Sequence, residues 1–267
     1  MNRLAGRHRP APHPGSWPIL VLVVLLLAGG VAACGTPAPP PPPPAPPPGP
    51  PTVPGQVLDL ANWKLTLPTG PQGQPEEIRP PELLSFSDDW FRLDDGRDGV
   101  VFTAPAGGVT TKGSGYPRAE LREMSGGTEA GWSNRTGTHT MTVREAITQL
   151  PAVKPQVVAA QIHDADTKVV MVRLEGSHLF VEYGDGDGDF TLDDNYQLGT
   201  PYDVRITAAG GRIQVYYNNV LKGDIPVAGD GWYFKAGTYT QSNVERGDAP
   251  DAAGQVVIYS LNVTHSP

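Results

Sequence analysis

From about residue 99 onward, apolar and polar residues alternate with a period of two in one short run after another. The clearest runs are "GVVFTA", "THTMTVREAI", "QVVAAQIHD", "KVVMVRLEG", "HLFVEYGD", "YDVRITAAG", "GRIQVYYNN", "YFKAGTYTQ" and "QVVIYSLNVTH". Such alternation turns one face of a segment toward a core and the other toward water, as in half-buried antiparallel strands. The runs are rich in valine, isoleucine, threonine and tyrosine, and glycine, proline and aspartate clusters separate them as turns. No segment has the length and spacing of a helix, apart from a single turn around "PPELLSF". Many short strands without intervening helices predict an all-β sandwich of two antiparallel sheets. No internal repeat of fixed period is present.

The first 55 residues break this pattern. A polar, basic head (Arg3, Arg7, Arg9) precedes the apolar run "ILVLVVLLLA" and the small residues "GGVAAC". Head, apolar body and small-residue region together describe a signal peptide. The run falls short of the roughly 20 apolar residues of a spanning helix. Cys34 is the only cysteine, which excludes an intrachain disulfide. The stretch "VAAC" resembles the lipobox of bacterial lipoproteins, and that resemblance implies a lipid on Cys34. The other reading is ordinary cleavage that leaves a free thiol.

After Cys34, "PAPPPPPPAPPPGPP" at 37–51 favours extended polyproline II, about 3.1 Å per residue, and reads as a stalk. The expected organisation is therefore a signal peptide at 1–33, a proline-rich linker at 34–55 and one folded domain at 56–267. The domain would lie outside the cell, held to the membrane through Cys34. Without residues 1–33, which carry three arginines and no acids, 17 basic residues face 28 acidic ones, and the formal charge moves from −8 to −11. That balance argues against nucleic acid as a partner.

Against this acidic background, "GYPRAELREM" at 115–124 sets Arg118, Glu120 and Arg122 on one face of an extended segment, with Ala119 and Leu121 toward the core. In "AAQIHD", Gln161 and His163 share a face. In "YFKAGTYTQ", Tyr233, Lys235, Tyr239 and Gln241 do, while Gly237 leaves room for a close approach. Three stripes of cations, amides, imidazole and phenols in an acidic protein predict the floor of a cationic groove.

These segments resemble the alginate lyases of polysaccharide lyase family 7, whose R-x-E-L-R, Q-[IV]-H and Y-F-K-A-G-x-Y-x-Q motifs read here "RAELR" at 118–122, "QIH" at 161–163 and "YFKAGTYTQ" at 233–241. The opening "LDLANWKLTLP" is similar to the family's first strand, and the resemblance spans residues 56–265. It implies a β-jelly roll whose concave sheet binds an anionic polysaccharide. It also implies Arg118, Gln161, His163 and Tyr239 as the catalytic set. Glu120 is expected to hold Arg118 and Arg122, and Tyr233, Lys235, Arg122 and Gln241 to line the substrate. No metal or other cofactor is expected, and the domain is expected to be a monomer. His139, His178 and His265 lie outside the motifs.

The residue types fit a β-elimination. Removing the carbon 5 proton of a uronate builds charge beside its carboxylate, and donors aimed there offset that charge. Arg118 offers a bidentate fork and Gln161 an amide donor. His163 can take a proton near neutral pH, and Tyr239 can give one to the oxygen leaving carbon 4.

Two other classes make different demands. A glycoside hydrolase needs two carboxylates across one bond, and Glu120 and Glu123 point to opposite faces of their strand. A non-catalytic binding module needs exposed aromatic platforms rather than a histidine and a tyrosine beside an arginine. Another polyuronide, such as glucuronan, would also fit a cationic groove, and the resemblance to the family implies, through the isoleucine of "QIH", guluronate-containing chains. Asp185, Asp187 and Asp189 have the spacing of calcium-loop ligands, but Phe190 and Tyr196 stand where that loop needs glycine and glutamate. Residues 184–194 therefore read as a solvated hairpin loop.

Overall fold

The computed structural model describes residues 49–267; the expected signal peptide, Cys34 and most of the proline tract lie outside the described residues. Two antiparallel sheets form a β-jelly-roll sandwich, with three short 3-10 turns and no α-helix among the described residues. In hydrogen-bonding order, the first sheet runs β11 (Gly188–Asp193), β10 (His178–Tyr183), β9 (Lys168–Glu175), β8 (Gln156–His163) and β15 (Tyr233–Thr240). It continues with β5 (Arg118–Ser125), β1 (Trp63–Thr66) and β2 (Glu77–Ile78), and β6 (Thr128–Glu129) pairs with β5. The second sheet runs β14 (Val220–Ile225), β13 (Arg212–Tyr217), β12 (Tyr202–Ala209), β7 (Thr138–Gln149), β16 (Ala253–Ser266), β4 (Val100–Pro105) and β3 (Phe91–Leu93).

Every run with clear alternation is a strand. The missed strands are short or exposed, such as β2, β6 and the edge strand β14. Residues 184–194 are a correction. Only the turn after Tyr183 is loop, because Gly188–Asp193 pairs with β10 as strand β11. The helical turn at "PPELLSF" is a 3-10 turn, Glu82–Leu84. Ordered packing begins at Pro54, which is buried, and a side chain at Gly55 would meet the Leu84 carbonyl. Between β13 and β14, Asn218 and Asn219 both take positive φ, 47° and 65°, matching the twist of a tight hairpin.

The core fills the space between the sheets. Leu121, Ile162 and Ala236, from the three motif strands, share one buried cluster with Phe102, Met141 and Ile258 of the facing sheet. Fully burying such a leucine or isoleucine contributes roughly 1.5–3 kcal/mol. Two threonines also face inward: Thr238 Oγ1 donates to the Phe102 carbonyl at 2.8 Å and Thr240 Oγ1 to that of Ala104 at 2.7 Å. Both hydroxyls are thereby satisfied, and β15 is tied to β4 across the sandwich.

Candidate active site

The three motifs, distant in sequence, occupy three adjacent strands: β15 sits between β8 and β5. Register sets their outward residues in rows. Arg122 stands opposite Lys235 and Lys235 opposite Gln161; Tyr233 stands opposite His163, and Arg118 opposite Tyr239. On the other side of β5, Lys64 of β1 stands opposite Arg122. Eight of the sequence-predicted residues line one groove of about 540 Å³, Arg118, Arg122, Gln161, His163, Tyr233, Lys235, Tyr239 and Gln241 among its walls.

Glu120 lies beneath that floor, 1% exposed. Gln161 Nε2 and Lys235 Nζ both donate to it, and Arg118 Nη1 donates to its Oε2 at 3.2 Å. Its role is to hold the three donors rather than to touch a ligand. Burial pushes the Glu120 carboxyl up, but Lys235, Arg118 and Gln161 outweigh that and hold it below the usual carboxylate range. Arg122 is a correction: it pairs not with Glu120 but with Glu129 at 3.0 Å, and its guanidinium lies 3.8 Å from the Tyr233 ring centroid. Glu120 and Glu129 divide the cations of β5 and its neighbours between them: Arg118 and Lys235 go to Glu120, Arg122 and Lys64 to Glu129, and Lys64 also reaches Glu77 at 2.5 Å.

Lys235 is pushed down to about 8, because burial and the Arg118 charge outweigh its attraction to Glu120. His163 Nδ1 lies 2.5 Å from the Asp164 carbonyl, so that nitrogen carries the proton and Nε2 keeps its lone pair. Tyr233 donates to the same carbonyl at 2.9 Å and stacks beside the imidazole. Burial lowers the His163 pKa, with Lys235 adding to the effect against the Asp164 hydrogen bond. At neutral pH the ring is an acceptor.

Tyr239 presents its hydroxyl to Ser114 Oγ at 2.8 Å, while the Arg118 guanidinium covers its ring at 3.9 Å. Arg118 Nε and Gln241 Nε2 are buried without protein partners. Gly237 is a second correction. It takes φ +133° in a bulge of β15 against β8, and a Cβ there would lie 2.7 Å from the Ala119 carbonyl. The room it leaves is filled by the backbone of β5.

Alternation along the opening strand could have revealed Lys64. Ser114 carries no such signal, because its glycine-rich loop has no period. On the far side of β5, Glu123 accepts from Trp132 Nε1, the Phe234 amide and His265 Nε2 at 2.9, 2.9 and 2.5 Å. It cannot pair with Glu120 across a bond.

Residues 58–265 match the family model described as alginate lyase. Among solved structures, alginate lyase AlgAT5 from polysaccharide lyase family 7 is 53% identical, with a TM-score of 0.77, covering 80% of this chain and 99% of that one. The alginate lyase from Corynebacterium sp. is 47% identical, with a TM-score of 0.79, covering 82% of this chain and 100% of that one. An alginate lyase of Klebsiella pneumoniae is 26% identical over 283 residues, 79% of this chain and 91% of its own.

Proposed function

The chain belongs to the alginate lyases of polysaccharide lyase family 7, and on that premise we propose how its own residues carry the elimination. The protein is a polysaccharide lyase that cleaves alginate by β-elimination and leaves an unsaturated uronate end. The observation that carries the assignment of roles is the convergence of Arg118, Gln161, His163 and Tyr239 on one groove from three adjacent strands.

A uronate carboxylate lies against Arg118 and Gln161, whose donors Glu120 has already oriented. Charge that builds as carbon 5 loses its proton meets donors that need no reorganisation. His163 Nε2 takes that proton when it lies opposite the leaving oxygen. The electron pair becomes the carbon 4–carbon 5 double bond, the bond from carbon 4 to oxygen breaks, and Tyr239 gives its proton to that oxygen. Where proton and leaving oxygen share one side, as in mannuronate, Tyr239 serves both steps. Gln241 and Lys235 engage neighbouring hydroxyls and carboxylates.

Tyr239→Phe removes only a hydroxyl and leaves the ring under Arg118. Turnover should fall roughly 10²-fold or more, the usual scale for general acid–base catalysis, with KM little changed. His163→Ala should be severe on guluronate blocks and milder on mannuronate blocks. Ultraviolet detection of the unsaturated product on block-defined alginates and on glucuronan reads all of these. Near-normal turnover by Tyr239→Phe on the best substrate would overturn the mechanism.

We also infer that the domain works outside the cell, tethered through a lipid on Cys34 and raised by the proline-rich linker. The signal-like leader, the "VAAC" stretch and the proline tract support this reading. Mass analysis of the mature protein from its membrane fraction tests it, and Cys34→Ser should release an equally active protein. A mature chain without lipid on Cys34 would sink the anchor.

A further inference from the structure

Three loops meet beyond Tyr239, on the side away from His163, and the catalytic set uses none of their charges. The first carries Ser114 and Tyr116, the second Lys154, and the third is the 3-10 turn Val244–Arg246. Asp248, buried, binds the second and third together by accepting from the Val153 and Lys154 amides at 2.8 and 3.0 Å and from Ser242 Oγ at 2.5 Å. Asn243 caps the turn at the Arg246 amide and donates to the Gly115 carbonyl at 2.9 Å, which attaches the first loop.

At the meeting point lies the Tyr116 hydroxyl. Lys154 Nζ donates to it at 2.9 Å. Lys154's hydrogen bond, with Arg246 adding to it against burial, holds that hydroxyl below the usual phenol range. Neither Lys154 nor Arg246 has a carboxylate within ion-pair distance among the described residues, whereas Lys64, Arg118, Arg122 and Lys235 all do. In a chain with an excess of acids, two unmatched cations around one phenol are an anion site by composition and by geometry. The Tyr116 ring stands edge-on to Tyr239 at 6.5 Å, and Ser114 Oγ accepts from the Tyr116 amide at 3.0 Å while contacting the Tyr239 hydroxyl. The cluster is thus coupled directly to the group at the scissile oxygen.

We propose that Lys154 and Arg246, gathered about the Tyr116 hydroxyl, form a carboxylate-binding subsite for the uronate next to the scissile bond on the side of Tyr239 away from His163. The assignment rests on the reading of Tyr239 as the proton donor to the leaving oxygen. The bound uronate replaces water on both cations, whose loops are already tied together by the Asp248 and Asn243 hydrogen bonds. Its contribution is to binding and register, because neither cation reaches the reacting carbons.

The test compares Lys154→Met, Arg246→Gln and the double variant with the unsubstituted enzyme on polymeric alginate and on a size series of oligouronates. Met keeps the lysine's apolar stem, and Arg246 is exposed, so unfolding midpoints should match the parent. Each single variant should raise KM on polymer about tenfold, with kcat changed far less, as expected for a lost charged contact. The increase should vanish on oligomers too short to reach past Tyr239, and the product sizes released from polymer should shift. An equal rise on every chain length would make the cations a diffuse attraction and overturn the subsite, as would an unchanged KM. If the unsubstituted enzyme cleaved alginate yet Tyr239→Phe remained active, the mechanism would fail while the chain-length result still judged the subsite on its own.

Discussion

At the scale of single residues, Tyr239 has its ring held by a cation and its oxygen held by a hydroxyl. Arg118 fixes the plane, and Ser114 Oγ, 2.8 Å from the phenol oxygen, fixes that oxygen's position. Removing the Ser114 hydroxyl leaves the ring under Arg118 but takes away the anchor of its oxygen. Ser114→Ala should therefore lower kcat about tenfold with KM nearly unchanged, and Ser114→Thr should recover most of it. Steady-state kinetics on one defined block substrate suffice to check this. Lys235 titrates within the working range, because burial and Arg118 push it down to about 8. Below that pH it is a cation facing the substrate's carboxylates; above it the charge is lost. KM should rise as pH passes through 8, and Lys235→Met should show a higher KM with no such limb.

At the scale of elements, Gly237 shows how a strand is fitted to its neighbour. Its φ of +133° and the Ala119 carbonyl 2.7 Å from a would-be Cβ exclude any side chain. Gly237→Ala should cost about 3 kcal/mol or more, from backbone strain and the clash together. Because Tyr239 follows directly after the bulge, activity should fall beyond what unfolding explains. Denaturant titration beside kinetics at a temperature well below the midpoint separates the two effects. The same bulge marks the limit of reading by alternation. Period-two patterning identified β5, β8 and β15 and the faces of Arg118, Gln161 and Lys235, because burial of Leu121, Ile162 and Ala236 enforces it. Which strands are neighbours was not legible. β15 enters between β8 and β5 from far along the chain, and what points to one shared groove is the common charge of the three stripes in an acidic chain, together with the resemblance to known lyases, not any signal of strand order. Arg122 was misplaced for a related reason: its partner Glu129 lies on β6, a strand of two residues, too short to leave a periodic signal. His139 and His265 carry no signal in the sequence because their partners are equally remote. His139 Nδ1 meets His265 Nδ1 at 2.7 Å, and His265 Nε2 reaches Glu123, fastening the last strand to β5.

At the scale of the whole molecule, one buried carboxyl makes stability respond to pH against the direction of activity. Catalysis needs a neutral His163, which its lowered pKa secures at neutral pH, so activity grows as the medium leaves the acid range. Part of the stability runs the other way, through a carboxyl buried between the sheets. Glu145 on β7 is fully buried, accepts from the Tyr202 hydroxyl at 3.0 Å through Oε1, and has no partner at Oε2. Burial raises it from 4.5 to about 7, with the Tyr202 hydrogen bond opposing only part of the shift. Because the folded value lies above the unfolded one, the stability linked to this group is fully present below about pH 4.5 and is lost as pH rises through 7. The loss amounts to roughly 3 kcal/mol, the free energy of a shift between those two values. Glu77, Glu120 and Glu182 act with the opposite sign and in another window. Their folded values are lowered, so their contribution is present above the ordinary carboxylate range and disappears as pH falls below it. Glu145→Gln keeps an acceptor for Tyr202 and never ionises. Its unfolding free energy should lie close to the parent's at pH 5 and exceed it by roughly 3 kcal/mol at pH 8, with the lyase rate unaltered because Glu145 does not line the groove. Denaturant titrations of both proteins at the two pH values give the answer. A gap that stays constant from pH 5 to pH 8 would show that Glu145 is not the group that weakens the folded enzyme in the range where it works.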